Sequence, residues 1–258
     1  MGREKKRGNV TPEMRANGKP RILTAEDVKR FCCNRQVLND EELAYLDFHA
    51  QRLAYTTNLV QKYSKEFSAK TLLDVGPHFL ISCMKQFIRP DVSVSTLGWA
   101  NERLAPSRLV DDHIQFDLNL CSEQNVNRIG RRFDLIVFAE TVKHLHTSPV
   151  LVLKMLKNAL RENAGVLIIQ TPNAVSLSKR LAMVRGINPF ERIRESRDNP
   201  GHFREYTMNE LVALGNEVGL SLHHKEFCDY WDSHIELLRP LEKVYPPFRK
   251  AITVAFVS

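Results

Sequence analysis

The chain has 258 residues, 43% of them hydrophobic and 26% charged, which suffices for one substantial core within the ordinary globular range. No stretch approaches the ~20 uninterrupted apolar residues of a membrane span, and the start, Met1-Gly2-Arg3-Glu4-Lys5-Lys6-Arg7, lacks the apolar region of a secretory signal. A cytoplasmic protein with no membrane partner is expected, and five cysteines without CxxC spacing suit its reducing environment.

The formal net charge of +7 is unevenly placed. Residues 1–21 hold seven basic residues against Glu4 and Glu13, a net +5, which leaves +2 for the rest. With glycines, prolines and almost no large apolar residues, residues 1–22 read as a basic disordered leader, solvated rather than an arm for nucleic acid. From Asn39 to about Phe67, Leu43, Leu46, Phe48, Leu53, Leu59 and Val60 recur in a broadly helical pattern, so residues 23–68 are expected as a helical N-terminal extension.

Strands and helices then alternate. Strands are predicted at Thr71–Val75, Val92–Leu97, His113–Asp117, Phe133–Ala139 and Gly165–Gln170, with helices at Phe79–Phe87 and from Pro149 to Leu160, the latter N-capped by Ser148. A basic stretch reaches to about Glu205, Thr207 and Glu210 offer a capping box for a helix at Met208–Val218, and strands near Ser221–Cys228 and Ala251–Val257 close the chain. The expected fold is α/β: a Rossmann-like, doubly wound, mostly parallel seven-stranded sheet with helices on both faces, over residues 69–258, with an insertion at about 174–206.

In such a sheet ligands bind beyond the carboxyl ends of the strands, so the residues following each strand matter most. Asp74-x-Gly76 follows the first, Asp117 the third, and Phe133–Glu140 and Ala164–Ile169 run through the fourth and fifth. In this order and spacing the chain resembles the class I S-adenosylmethionine-dependent methyltransferases, from about Thr71 to Val257. A nicotinamide dehydrogenase would need GxGxxG instead.

The resemblance implies S-adenosylmethionine as cofactor. Asp74 and Gly76, with Pro77 and His78 in the turn, would meet its methionyl end, and Asp117 with Leu118 its adenine. Trp99 would flank the adenine, and Ala139, at the end of the fourth strand, would also contact the cofactor. The family's further glycines are replaced here by His78 and Leu80. Its ribose-binding acid is missing from Ser95-Thr96-Leu97-Gly98-Trp99, where hydroxyls such as that of Thr96 would serve.

Glu140-Thr141-Val142-Lys143-His144 resembles the E-x-x-E-H motif of ubiquinone-pathway O-methyltransferases and of small-RNA 2′-O-methyltransferases. Thr171-Pro172-Asn173 and the segment His202–Thr207 resemble further segments of the RNA enzymes, whose glutamates and histidines bind a divalent cation. Here Lys143 stands at the second glutamate, and an ammonium repels a divalent ion, so no metal is expected. Lys143 would supply positive charge, Glu140 would share the site, and His144 or His202 would act as general base for an acceptor hydroxyl.

Residues 179–204 carry seven basic residues against three acidic ones, which favours an anionic acceptor. The reading is O-methylation of a small-molecule or glycan-type acceptor. The alternatives are an RNA 2′-O-methyltransferase and a non-catalytic scaffold of the same fold.

Overall fold

A computed structural model describes residues 22–35, 38–99, 110–196, 200–231 and 239–258. All of the basic leader except Ile22, and residues 197–199 of the insertion, lie outside the described residues. The elements in order are α1 (Ala25–Arg35), α2 (Asp40–Glu66), β1 (Thr71–Val75), α3 (Phe79–Phe87), β2 (Ser93–Gly98), β3 (Asp112–Gln115) and β4 (Leu135–Ala139). There follow α4 (Pro149–Asn158), β5 (Val166–Pro172), α5 (Leu177–Val184), α6 (Met208–Glu217), β6 (Ser221–Cys228), α7 (Arg239–Val244) and β7 (Ala251–Val257).

The seven strands lie in the order β3-β2-β1-β4-β5-β7-β6, parallel except for β7, which runs antiparallel to both neighbours. The expected Rossmann-like sheet is therefore present. Alternate residues of a strand face opposite sides, and the core divides accordingly. Leu73, Val75, Ile136, Phe138, Leu167 and Ile169 pack on one side with residues of α4 and α6. Leu72, Val137 and Ile168 pack on the other with residues of α1, α2 and α3.

Local signals explain most boundaries. Thr207 and Glu210 form the expected capping box, Glu210 N–H donating to Thr207 Oγ1 at 3.3 Å and Thr207 N–H to the Glu210 carboxylate at 2.8 Å. Asn39 and Glu42 do the same at the start of α2. Ser148 precedes α4 but makes no side-chain cap, leaving Pro149 as the start signal. β3 ends two residues before the expected Asp117, because that carboxylate accepts from Asn119 N–H at 3.0 Å and caps a 3₁₀ turn at Leu118–Leu120. No described helix is long and apolar enough to cross a membrane.

Candidate active site

The turn after β1 is set by backbone geometry. Gly76 has φ +74°, its N–H donates to the Leu97 carbonyl at 2.9 Å, and a Cβ there would lie 2.5 Å from Thr141 Oγ1. Both the left-handed conformation and the close approach require glycine. Thr141 donates to the carbonyls of Val75 and Ala139, both at 3.1 Å, and so ties the ends of β1 and β4 together. Asp74, 2% exposed, sits beside this turn with Oδ2 unpartnered. Burial raises its pKa to about 7, opposed by the charge of Arg52. His78 precedes α3, its Nδ1 is buried without a partner, and burial lowers its pKa to about 4.

Glu140 follows β4 in a left-handed conformation, φ +59°, with its N–H donating to the Gln170 carbonyl at 2.7 Å. Such conformations in non-glycine residues concentrate at functional sites. The Glu140 carboxylate accepts from Lys143 Nζ at 2.6 Å, while Oε1 is buried without a partner. Burial pushes this carboxyl up, but the charges of Lys143 and Arg52 outweigh it and hold the pKa below the ordinary value. Lys143 is itself 8% exposed and turned toward the cavity, so its charge is met by Glu140.

The two histidines differ. His144 Nδ1 lies 2.7 Å from the Gly201 carbonyl oxygen, which only accepts, so Nδ1 carries the proton and Nε2 keeps its lone pair. Burial lowers the pKa of His144, the hydrogen bond to Gly201 opposing and Lys143 assisting. His202 has both nitrogens engaged, Nδ1 with Glu205 at 2.9 Å and Nε2 with Glu191 at 3.0 Å. Burial, assisted by the charge of Lys143, lowers the pKa of His202 to about 4, so its ring is neutral and its one lone pair lies against a carboxylate.

These groups surround a cavity of about 890 Å³, within the usual range for small-ligand sites. Asp74, Gly76, Pro77, His78, Trp99, Asp117, Leu118, Ala139, Glu140, Lys143, His144 and His202 all line it. Thr96 does not: it is fully buried and its hydroxyl pairs with His113 Nδ1 at 2.7 Å, so His113, not Thr96, reaches the cavity from that edge.

Sequence reasoning missed α2's contribution. Tyr45, His49 and Arg52 lie four and three residues apart on one helical face and line the cavity. Arg52, 3% exposed, hydrogen-bonds Tyr45 OH at 3.2 Å and His49 Nδ1 at 3.3 Å, and among the described residues it has no carboxylate ion pair. An arginine at a core-facing position of α2 was the available signal.

The insertion closes over the site through its backbone. Asn173 bridges to Tyr206 at its base, and the Phe203 and Arg204 N–H groups donate to the Lys143 carbonyl at 2.9 and 3.3 Å. Its basic residues near the cavity are paired: Lys179 with Glu205 and Arg194 with Glu191.

The strand order with antiparallel β7, the glycine turn after β1 and the cavity at the strands' carboxyl ends define a class I methyltransferase. The chain belongs to the methyltransferase-domain family, whose model matches residues 48–225, and is an S-adenosylmethionine-dependent methyltransferase. None of the curated proteins matches it.

Among solved structures, it is similar to the magnesium protoporphyrin IX methyltransferase ChlM from Synechocystis PCC 6803 with bound SAH. There the TM-score is 0.51 at 10% identity, over 90% of this chain and 94% of that chain. The plantazolicin methyltransferase BamL, in complex with a triazolic desmethylPZN analog and SAH, gives 0.50 at 14% identity over 80% and 83%. The [4+2]-cyclase SpnF gives 0.51 at 12% over 81% of each chain. At these identities the likeness is one of fold, and the fold houses more than one reaction.

Proposed function

We propose that this protein methylates a hydroxyl of a small-molecule or glycan-type acceptor, with His144 as general base. The observation that carries this reading is the hydrogen bond from His144 Nδ1–H to the Gly201 carbonyl, which leaves Nε2 as an acceptor in a residue lining the cavity.

The residues present fit the cofactor. Four buried polar atoms without partners, Asp74 Oδ2, His78 Nδ1, His113 Nε2 and Glu140 Oε1, belong to lining residues and call for a polar ligand. Asp74 would hold the methionyl ammonium, and Arg52 its carboxylate. Trp99 and Leu118 would flank the adenine, Asp117 would accept from its amine, and His113 lies where it can meet the ribose. S-adenosylmethionine, when bound, supplies a methyl group already activated on a sulfonium.

His144 Nε2 takes the hydroxyl proton as the acceptor oxygen gains the methyl. The resulting imidazolium is stabilised by the Gly201 carbonyl and by the charges of Glu140 and Glu191. Gly76 allows close backbone approach and the insertion lines one side of the cavity, and alignment would supply most of the rate. The anionic acceptor expected from the basic insertion is not part of this reading, since Lys143, Lys179 and Arg194 all meet carboxylates.

The test uses labelled S-adenosylmethionine and a panel of hydroxyl- and amine-bearing acceptors. His144→Gln should keep cofactor binding by calorimetry and lower turnover on a hydroxyl acceptor about 10²- to 10⁴-fold. Unchanged turnover in His144→Gln, or transfer to amines only, would reject the reading.

A further inference from the structure

We propose that the protein docks on an anionic bilayer surface through an apolar, basic plateau beside the cavity, built from α5, the residues following it, and α7. Leu181, Val184, Ile187, Phe190 and Ile193 are all exposed, Val184 at 86%, within a span of thirteen residues. α7 adds Leu241, Tyr245 just beyond it, and Val244 at 83% exposure. Soluble surfaces rarely gather apolar side chains so densely unless they contact something.

The two segments are distant in sequence but adjacent in space. Both flank the 3₁₀ turn at Pro246–Phe248: the Arg180 guanidinium stands 5.7 Å from the Phe248 ring, and the Tyr245 and Phe248 rings are 4.7 Å apart. Asn173 Nδ2 fixes this turn, donating to the Pro247 and Arg249 carbonyls at 2.9 and 2.8 Å.

Charge selects the occupant. From Leu177 to Phe190 there is no acidic residue. Arg180, Arg185 and Arg192 are exposed among the apolar side chains, with Lys243 exposed on α7. Apolar side chains that enter the acyl boundary, ringed by cations that meet lipid phosphates, are the features of an interfacial segment. No described helix can span a membrane, so the contact is a peripheral one, and it departs from the expectation of no membrane partner. Residues 1–21 add a net +5 that draws the molecule toward the same kind of surface.

The plateau is continuous with the rim of the cavity. Phe190 and Ile193 are exposed, while Glu191 and Arg194 between and beside them line the cavity. Docking therefore sets the cavity rim at the lipid–water boundary, where an amphipathic acceptor can enter without crossing bulk water.

The experiment is co-flotation of the full chain with vesicles of equal parts phosphatidylglycerol and phosphatidylcholine, against vesicles of phosphatidylcholine alone, at low and high salt. Binding to the anionic vesicles only, weakened by salt, is expected. The double variant Val184→Asp/Ile187→Asp should reduce it about tenfold or more while melting temperature and S-adenosylmethionine binding stay unchanged, because both side chains are exposed.

Persistent flotation of this variant would assign binding to the leader and overturn the proposal. So would a dimer in gel filtration that the same variant dissolves, or RNA binding lost in it without any vesicle binding. Loss of cofactor binding in the wild type would instead count against the methyltransferase reading and leave the docking result standing.

Discussion

Asp74 combines two demands that oppose each other. In the binding mode proposed above its carboxylate meets an ammonium, yet the site withdraws it from water, and burial places its pKa at about 7. In the unfolded chain it titrates near the ordinary 3.8. Between those values the folded state keeps a proton that the unfolded state has lost, so stability falls as pH rises through the window, and above about pH 7 the full penalty applies. Asp74→Asn removes the titration. The variant should be more stable than wild type by about 2–4 kcal/mol at pH 8 and nearly equal at pH 4, by denaturant unfolding at the two pH values. Its affinity for S-adenosylmethionine should fall about tenfold or more, since a neutral amide replaces the ion pair. An equal stability change at both pH values would mean that Asp74 is already ionised in the fold. Stability yielded at a binding site in exchange for affinity is a common arrangement.

At the scale of elements, the turn after β1 and the turn after β4 act as one unit, because Thr141 fills the space that a side chain at position 76 would need. Gly76→Ala should cost about 2–4 kcal/mol, part of it from the positive φ and part from the contact with Thr141. In a Thr141→Ala background the same substitution should cost about 1 kcal/mol less, and a double-mutant cycle from unfolding midpoints measures that coupling. Strict additivity would show that backbone strain alone penalises the alanine.

The same turns show what the sequence could and could not disclose. β1, β4 and β5 were legible because buried parallel strands read as short apolar runs, and Gly76 because a glycine after the first strand marks a ligand turn. The pairing of Gly76 with Thr141 was not legible, since it joins residues sixty-five positions apart. Thr96 carried a polar hydroxyl at the right place in the chain but points at His113, because a strand's alternation fixes its facing. Which histidine keeps a free nitrogen depended on Gly201, Glu191 and Glu205, partners that only the folded insertion supplies.

For the molecule as a whole, α2 is part of one of the two core clusters. Leu46, Leu53, Val60 and Tyr63 of α2 pack in the same cluster as Leu72, Val137 and Ile168 of the sheet. Thr56 donates to Gln170 Oε1 at 2.6 Å within the buried interior, and Tyr55 OH donates to Glu226 at 2.7 Å. α2 also brings Arg52, His49 and Tyr45 to the cavity. Four fully buried large side chains, at ~1.5–3 kcal/mol each, approach or exceed the ~5–15 kcal/mol that separates folded from unfolded domains. A chain beginning at Ala69 should therefore fail to unfold cooperatively and should not bind S-adenosylmethionine. A chain beginning at Ile22 retains the paired hydrogen bonds between Leu23 and Asn58, both at 2.9 Å, and loses only residues with few apolar groups. Its melting temperature should match the full chain within about 2 °C, and its cofactor affinity should be unchanged. Calorimetric melting and cofactor titration of the two truncations make the comparison. Cooperative unfolding with retained cofactor binding in the chain from Ala69 would show that α1 and α2 are separable from the sheet, and Arg52 would then have no part in holding the cofactor.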